Sequence, residues 1–325
     1  MAYARAWVEE LTRALQKRAA ELGFEACRIA RAERLDEEAT RLEAWLKAGM
    51  HASMSWMERH FELRVDPSRL LEGARSVICV LHSYYVPLQP NARPQVGRIA
   101  RYAWGDDYHE VLKDKLWELF AFLEERVPGV RGRAFVDSGP VLEKAWAVRS
   151  GLGWQGKNSN ILHPRLGSYF FLGVLIVDVE LLYDGPIPDH CGRCSRCIEA
   201  CPTQAIVAPS VVDARRCISY WTIEHRGETI DPEVAKRMGS WIFGCDICQE
   251  VCPWNKFAQA TQEPRLMPRP GIADTTLQEW AELDLEAYRK RFAKSAVKRA
   301  KFAGFQRNVR TVLQVRQREQ VTENG

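Results

Sequence analysis

Ten cysteines occur in 325 residues, and eight of them fall in two blocks: Cys191-x2-Cys194-x2-Cys197-x3-Cys201-Pro202, and Cys217 followed by Cys245-x2-Cys248-x3-Cys252-Pro253. Three thiols at two-residue intervals with a fourth before proline is the spacing with which bacterial ferredoxins hold [4Fe–4S] cubanes. In the two-cluster proteins the cysteine before the proline ligates the other cluster. That crossing groups Cys191, Cys194 and Cys197 with Cys252. In the second block Ile242 stands where a first cysteine would, and Cys217 is the nearby thiol able to replace it. Cys217, Cys245 and Cys248 are therefore expected to share the second cluster with Cys201, and the chemistry implied is electron transfer. Zinc ribbons use paired C-x2-C units but not a third cysteine at this interval. A disulfide framework does not suit a large chain without a secretory signal. Cys27 and Cys79 each sit in an apolar run and are expected to be inert core residues.

Two further segments could carry chemistry. Gly151-Leu-Gly153-Trp-Gln-Gly156-Lys157-Asn158 matches both G-x-G-x-x-G and G-x-x-x-x-G-K. A dinucleotide loop must follow a strand and open a helix, whereas here a helical pattern precedes the glycines and an apolar strand-like run follows. Asn158 also stands where a Walker loop needs Ser or Thr. The glycines are expected instead to let backbone approach a neighbour closely. Val136-Asp137-Ser-Gly-Pro140 puts a carboxyl at a strand end before a helix. There Asp137 could act as a general acid if burial raises its pKa, or simply cap the helix.

The elements that must position these groups follow from periodicity. Trp7, Val8, Leu11 and Leu15 mark a first helix, Phe24 to Ala30 a strand, and Leu42, Trp45 and Leu46 a second helix. Ser76 to Tyr84 reads as a buried strand, Tyr108 to Val127 as a long helix, Arg133 to Val136 as a strand and Val141 to Ser150 as a helix. Asn160 to His163 and Ser168 to Val179 read as strands turning at Pro164 to Gly167. The pattern implies an α+β / α/β multi-domain chain: an α/β layer domain over 1–182, a ferredoxin-like dicluster domain over 183–260 beginning at the turn-rich 182–190 segment, and a basic helical region over 261–325. Composition is that of a folded soluble protein, 46% hydrophobic and 27% charged. The apolar run from Tyr169 to Val177 is too short to span a bilayer, and the first helix mixes acids and bases unlike a targeting peptide, so no membrane association and a cytoplasmic location are expected. The net charge of +4 is uneven, because residues 281–325 carry eleven Lys and Arg against five acids. With Tyr288, Phe292, Phe302 and Phe305 interleaved, that tail fits a nucleic-acid footprint, and equally a solvated helix with an aromatic core stripe.

Taken together, Arg101-Tyr-Ala-Trp-Gly-Asp-Asp-Tyr-His109, Val136–Pro140, Gly151–Asn158 and Ile242-Phe-Gly-Cys-Asp-Ile-Cys-Gln-Glu-Val-Cys-Pro-Trp-Asn255 resemble the epoxyqueuosine reductase family, from about residue 20 to Lys301–Asn308. The resemblance implies a cobalamin held between the α/β and cluster domains and fed by the two [4Fe–4S] clusters. It also implies the reaction, reduction of epoxyqueuosine at the tRNA wobble position to queuosine. By position Asp137 is the family's proton donor. His60, Arg101, Asp137, Lys157, Ser219, Asp246 and Ile247 are carried over as cobalamin-lining residues, and Arg226 as a tRNA contact. The partners implied are tRNA and a low-potential electron donor, for a monomeric enzyme. Asp107-Tyr-His109-Glu-Val-Leu112 has Leu where a D-x-H-x-x-G cobalamin motif needs Gly, so a cobalamin with no protein ligand on its lower face is expected. Family members often carry a HEAT-like helical extension. Its absence after Gly325 is expected to spare catalysis and to remove part of the RNA contact surface. The alternatives are a reductive dehalogenase-like cobalamin enzyme, a non-enzymatic dicluster electron carrier, and clusters with a purely structural role. A carrier would leave some 180 preceding residues without a task.

Overall fold

A computed structural model describes residues 2–89 and 93–323. In chain order its first half contains helix α1 (Ala2–Glu21), strand β1 (Ala26–Arg31), α2 (Asp36–Lys47), α3 (Phe61–Val65), β2 (Ser76–Ser83), β3 (Arg98–Ile99), α4 (Tyr108–Arg126), β4 (Gly132–Phe135), α5 (Glu143–Arg149), β5 (Trp154–Gln155), β6 (Ile161–Leu162) and β7 (Phe170–Val177). There follow α6 (Arg196–Glu199), β8 (Ile206–Ala208), β9 (Val211–Val212), α7 (Pro232–Ala235), β10 (Trp241–Phe243), α8 (Ile247–Glu250), α9 (Leu277–Glu282), α10 (Leu285–Arg291) and α11 (Lys301–Glu323).

The main sheet has strand order β1-β2-β7-β4, and every neighbouring pair is antiparallel, with Ala26 opposite Leu81 and Ser76 opposite Val177. Both central strands are apolar along nearly their whole length because helices cover both faces. Alternation sorts their side chains. Ile78 and Val80 face the core built by Leu11 and Leu15 of α1 and Leu112 and Leu116 of α4. Val77, Cys79 and Leu81 face Trp146 and Ala147 of α5 and Leu35. Periodicity locates these strands and helices to within a few residues, but strand direction follows from the connections, which periodicity does not encode. Cys79 is buried, and burial pushes its thiol up to about 12, as suits an inert core group.

The glycine-rich segment is a hairpin, not a phosphate loop. β5 pairs antiparallel with β6, and Gly156 N–H donates to the Asn160 carbonyl at the turn. A Cβ on Gly151, whose φ is +71°, would lie 2.1 Å from the Gly185 carbonyl oxygen, and one on Gly153 would lie 2.4 Å from that of Leu162. Close backbone approach is therefore what these glycines permit.

The C-terminal region closes back onto the rest of the chain. β3 pairs in parallel with β10, and a single apolar cluster runs from Leu11 through Trp241 to Val312. Tyr288, Phe292 and Phe305 are 4%, 0% and 0% exposed; Phe292 and Phe305 pack with Trp280, and Tyr288 packs on Phe292, Phe302 and Phe305. The interleaved aromatics are thus a core stripe, which corrects their reading as part of an RNA platform, and the cations are left on the outer face. Asn308 in α11 is fully buried. Its Nδ2 donates to the carbonyls of Thr222 at 2.8 Å and Ile242 at 2.9 Å, while Arg307 donates to the carbonyls of Trp221, His225 and Gly227. The Lys301–Asn308 motif is therefore a clasp between α11 and the cysteine-bearing segment. Among the described residues no helix is long and apolar enough to cross a membrane.

Candidate active site

A cleft of about 530 Å³ opens between the α/β layer and the cysteine-bearing segment. On one wall Tyr84, Tyr102, Tyr108 and Phe171 form an aromatic face, with Tyr108 stacked on Phe171 at 4.1 Å and 4°. That wall also presents Asp137, Glu143 and Lys144. The other presents Cys201, Cys217, Cys245 and Cys248 with Ser219, Asp246 and Ile247, and Asn158 of the hairpin turn completes it.

Asp137 follows β4 and takes φ +55°, a left-handed conformation that a non-glycine residue holds only when its surroundings compel it. Tyr108 at the start of α4 supplies part of that constraint by donating its hydroxyl hydrogen to Asp137 Oδ2. His109 supplies the rest: its Nε2 lies 3.5 Å from the same oxygen, and its Nδ1 lies 2.6 Å from Asp107 Oδ1, the N-terminal cap of α4. Burial opposes a charge on His109, but the two carboxylates overcome it and raise the imidazole to about 9. Burial likewise opposes the charge on Asp137, yet the hydrogen bonds from His109 and Tyr108 hold it below the usual carboxylate range. The carboxylate is walled by protein but 66% accessible to the open cleft, so water still screens it. This revises the expectation of an Asp137 kept neutral by its surroundings: in the open cleft the proton resides on His109.

A second proton store lies beside it. Glu143 begins α5, and one of its carboxyl oxygens is buried without a hydrogen-bond partner. Burial, reinforced by the Asp137 charge, pushes its pKa up to about 8, against a weaker opposing pull from Arg64. Glu143 is therefore a neutral acid at pH 7.

The eight motif cysteines form two groups with different surroundings. Cys201, Cys217, Cys245 and Cys248 line the cleft; Cys191, Cys194, Cys197 and Cys252 do not. Electrostatic coupling is mostly within each group, although Cys248 feels Cys197 of the other group after Cys217 and Cys201 of its own. Cys197 is raised by burial and then by Cys252, Cys191 and Cys194, while Cys245 is raised by burial and then by Cys217 and Cys248. Among the described residues no three His, Cys, Asp or Glu side chains are gathered to hold a single metal ion. All ten cysteines are free. The donor set suits iron–sulfur cubanes: backbone N–H of Ala205 points at Cys201 Sγ at 3.2 Å and the Trp154 indole N–H at Cys191 Sγ at 3.4 Å, the kind of contact that tunes cluster sulfurs. Burial and mutual repulsion disfavour thiolates here, and the positive charge of bound iron would relieve that cost.

Of the carried-over cobalamin residues, Asp137, Ser219, Asp246 and Ile247 meet at the cleft, and three do not. His60 is exposed, with φ +62°, at the start of α3. Lys157 spends its ammonium on the carbonyls of Gly192 and Cys194, at 2.7 and 2.9 Å, fastening the first cysteine loop. Arg101 packs its guanidinium against Trp104 and bonds the carbonyls of Val86 and Leu88, although its backbone N–H donates to Asp246 Oδ2 at 2.7 Å. Arg226 lies in a separate groove beside α11, its guanidinium held by the carbonyls of Ile223, Arg299 and Ala300. Sequence reasoning missed His109, Tyr108 and Glu143. The first two lie inside the Arg101–His109 motif, but nothing in its spacing signals their contact with Asp137. Nothing in spacing brings Glu143 to Arg64. The apolar and aromatic walls, with polar groups at few points, suit a large flat macrocycle such as a corrin.

Comparison with known proteins agrees with this geometry. Residues 64–138 match the model for "Epoxyqueuosine reductase QueG, DUF1730", and residues 190–255 the model for a 4Fe-4S double cluster binding domain. An epoxyqueuosine reductase of Cellulophaga algicola is 50% identical over 91% of this chain and 95% of its own length; one of Synechocystis is 46% identical over 86% and 96%. A crystal structure of an epoxyqueuosine reductase with an epoxyqueuosine-modified tRNA-Tyr stem loop superposes with a TM-score of 0.88 at 31% identity, covering 94% of this chain and 81% of that one. The Bacillus subtilis enzyme, solved with its catalytic aspartate loop swung out of the active site, gives 0.87 at 30% identity, covering 94% and 82%. This chain belongs to the epoxyqueuosine reductase family, whose cofactors are cobalamin and two [4Fe–4S] clusters.

Proposed function

We propose that this chain reduces epoxyqueuosine to queuosine at the wobble position of tRNA, acting as a monomer in the cytoplasm, with Asp137 as proton donor. The observation that carries the reading is one cleft that faces an Asp137–His109 pair and a neutral Glu143 with four of the eight motif cysteines. Removing the epoxide oxygen as water breaks two C–O bonds and consumes two electrons and two protons, and the cleft offers a source for each. Cys191, Cys194, Cys197 and Cys252 would hold one cluster, and Cys201, Cys217, Cys245 and Cys248 the other. Cobalamin, held against the aromatic wall by Ser219, Asp246 and Ile247, would supply a strongly reducing, nucleophilic metal centre.

The protein's part is to orient, to exclude water and to move protons. When the modified base enters, water leaves the mouth of the cleft and the charged His109–Asp137 pair is disfavoured, so the shared proton moves toward Asp137. From Asp137 it passes to the oxygen as the first C–O bond breaks, and Glu143 is positioned to supply the second proton. Lys298 and Arg299 bear electrostatically on Asp107 and Asp137, so part of the basic tail lies beside this mouth. There the tail's cations can meet the anticodon phosphates, while the aromatic wall receives a splayed base.

The test is anaerobic incubation of cluster- and cobalamin-loaded protein with a strong reductant and epoxyqueuosine-containing tRNA, followed by nucleoside mass spectrometry. Loss of one oxygen atom's mass that requires cobalamin supports the reading. An unchanged nucleoside with demonstrably reduced cofactors removes it.

A further inference from the structure

The two cysteine groups do not face the same medium. With Cys201, Cys217, Cys245 and Cys248 on the cleft wall, the other group offers electrons an entry that does not cross the cleft. Around that outer group the chain builds a surface unlike the cleft. The buried Trp154, whose indole N–H points at Cys191 Sγ, meets His190 at 5.0 Å and Trp254 at 4.9 Å, and Trp254 meets Phe257 at 5.8 Å. His190 is exposed, and Phe257 is 41% exposed, a large apolar ring left in solvent.

Exposed cations occur in the same segments as these rings and next to them in sequence. Arg193 and Arg196, inside the first cysteine block, are exposed and have no carboxylate partner among the described residues. Lys256 is exposed, with its ammonium 4.7 Å from the Phe257 ring centre, and Arg165 is exposed on the adjoining turn. Two exposed acids share the first block's segment and keep their charge, Asp189, which accepts the Cys191 N–H at 2.6 Å, and Glu199, which accepts the Ser195 hydroxyl, but the four cations outnumber them. Exposed cations in and beside the first cysteine block, with an exposed aromatic ring carrying one of them, suit a partner with an acidic face.

We infer that this patch, centred on Phe257 with Arg193, Arg196 and Lys256, docks an acidic one-electron carrier protein that reduces the outer cluster. The inference rests on the cluster assignment of the proposed function, but it concerns residues that do not line the cleft. The charges steer and orient the encounter, and Phe257 supplies desolvated contact.

The test is stopped-flow reduction of the cluster absorbance in holoenzyme without tRNA, using a reduced acidic plant-type ferredoxin and, separately, dithionite. For the Arg193→Glu/Arg196→Glu/Lys256→Glu variant, the ferredoxin rate at low salt should fall about tenfold or more, and the gap should close at about 1 M salt, where charges are screened within a few ångströms. The dithionite rate and iron content should match the unaltered protein. A milder Arg196→Gln/Lys256→Gln pair should fall in between, and Phe257→Ala should weaken ferredoxin binding with little change in salt dependence. Unchanged ferredoxin reduction in the triple variant, or an equal loss with dithionite in the milder pair, would overturn the docking surface while leaving the tRNA reading intact. Clusters that neither reductant can reduce would remove both.

Discussion

The two walls of the cleft hold different currencies. The α/β wall carries the ionisable Asp137, His109 and Glu143, seated on a loop and on the first turns of two helices that pack on an antiparallel sheet. The opposite wall carries four cysteines of the cluster-binding motif, whose cluster would pass electrons, and the enclosed Asp246, whose carboxylate already takes the Arg101 N–H. Separating the two lets the protein set each proton affinity with local carboxylates and burial, without disturbing the ligands of an iron cluster. It also means that damage to one wall should leave the other measurable.

The largest effect should come from Asp137→Ala, which removes the group nearest the mouth and releases His109. Conversion of the tRNA nucleoside is expected to fall about 10²–10⁴-fold while the visible spectrum of the clusters stays unchanged. His109→Asn should be milder, about 10–10²-fold, since Asp137 keeps its place through Tyr108 but loses its proton partner. A loss of cluster absorbance in either variant would break the division between the walls.

The pH profile sharpens it further. Glu143 and His109 both act in their protonated forms, so single-turnover rates should decline above about 8 as Glu143 ionises and more steeply above about 9 as His109 does. Glu143→Gln should abolish the first decline and keep the second. Both shifts make stability fall as pH rises, by different routes. His109, raised from 6.5, stabilises the fold fully below that value, and this stabilisation is lost as pH rises through about 9. Glu143, raised from 4.5, costs stability increasingly as pH climbs from there to about 8.

The smallest effect on catalysis with a measurable effect on folding belongs to Asn308→Ala. Two buried carbonyls, of Thr222 and Ile242, would lose their donor, at a cost of about 2–4 kcal/mol in denaturant unfolding. The conversion rate of the folded fraction should be little changed.

Much of this was legible in the chain. Cysteine spacing announces the clusters because a cubane fixes how far apart thiolates can sit, and the buried strands announce themselves because both their faces are apolar. The crossing rule groups Cys201 with the second block, and Cys217 joins it as the nearby thiol; both line the cleft with Cys245 and Cys248. What could not be read was the company each side chain keeps across long stretches of sequence. Lys157 reads as a cofactor contact but fastens the Cys191–Cys194 loop, and Tyr288, Phe292 and Phe305 read as well for RNA as for core until Trp280 is seen stacked among them. The ionisation of Asp137 depended on His109 and Tyr108, and no spacing rule states that a hydroxyl and an imidazole on the opening turn of α4 will meet a loop beyond its end.

The most direct measurement is the single-turnover rate of epoxyqueuosine loss in prereduced Asp137→Asn holoenzyme, with the reduced clusters of the same sample followed by electron paramagnetic resonance. The account predicts clusters that reduce as in the unaltered protein and a conversion rate lower by at least about 10²-fold. Conversion at the unaltered rate would contradict it, and so would clusters that no longer accept electrons, because Asp137 would then belong to the electron wall.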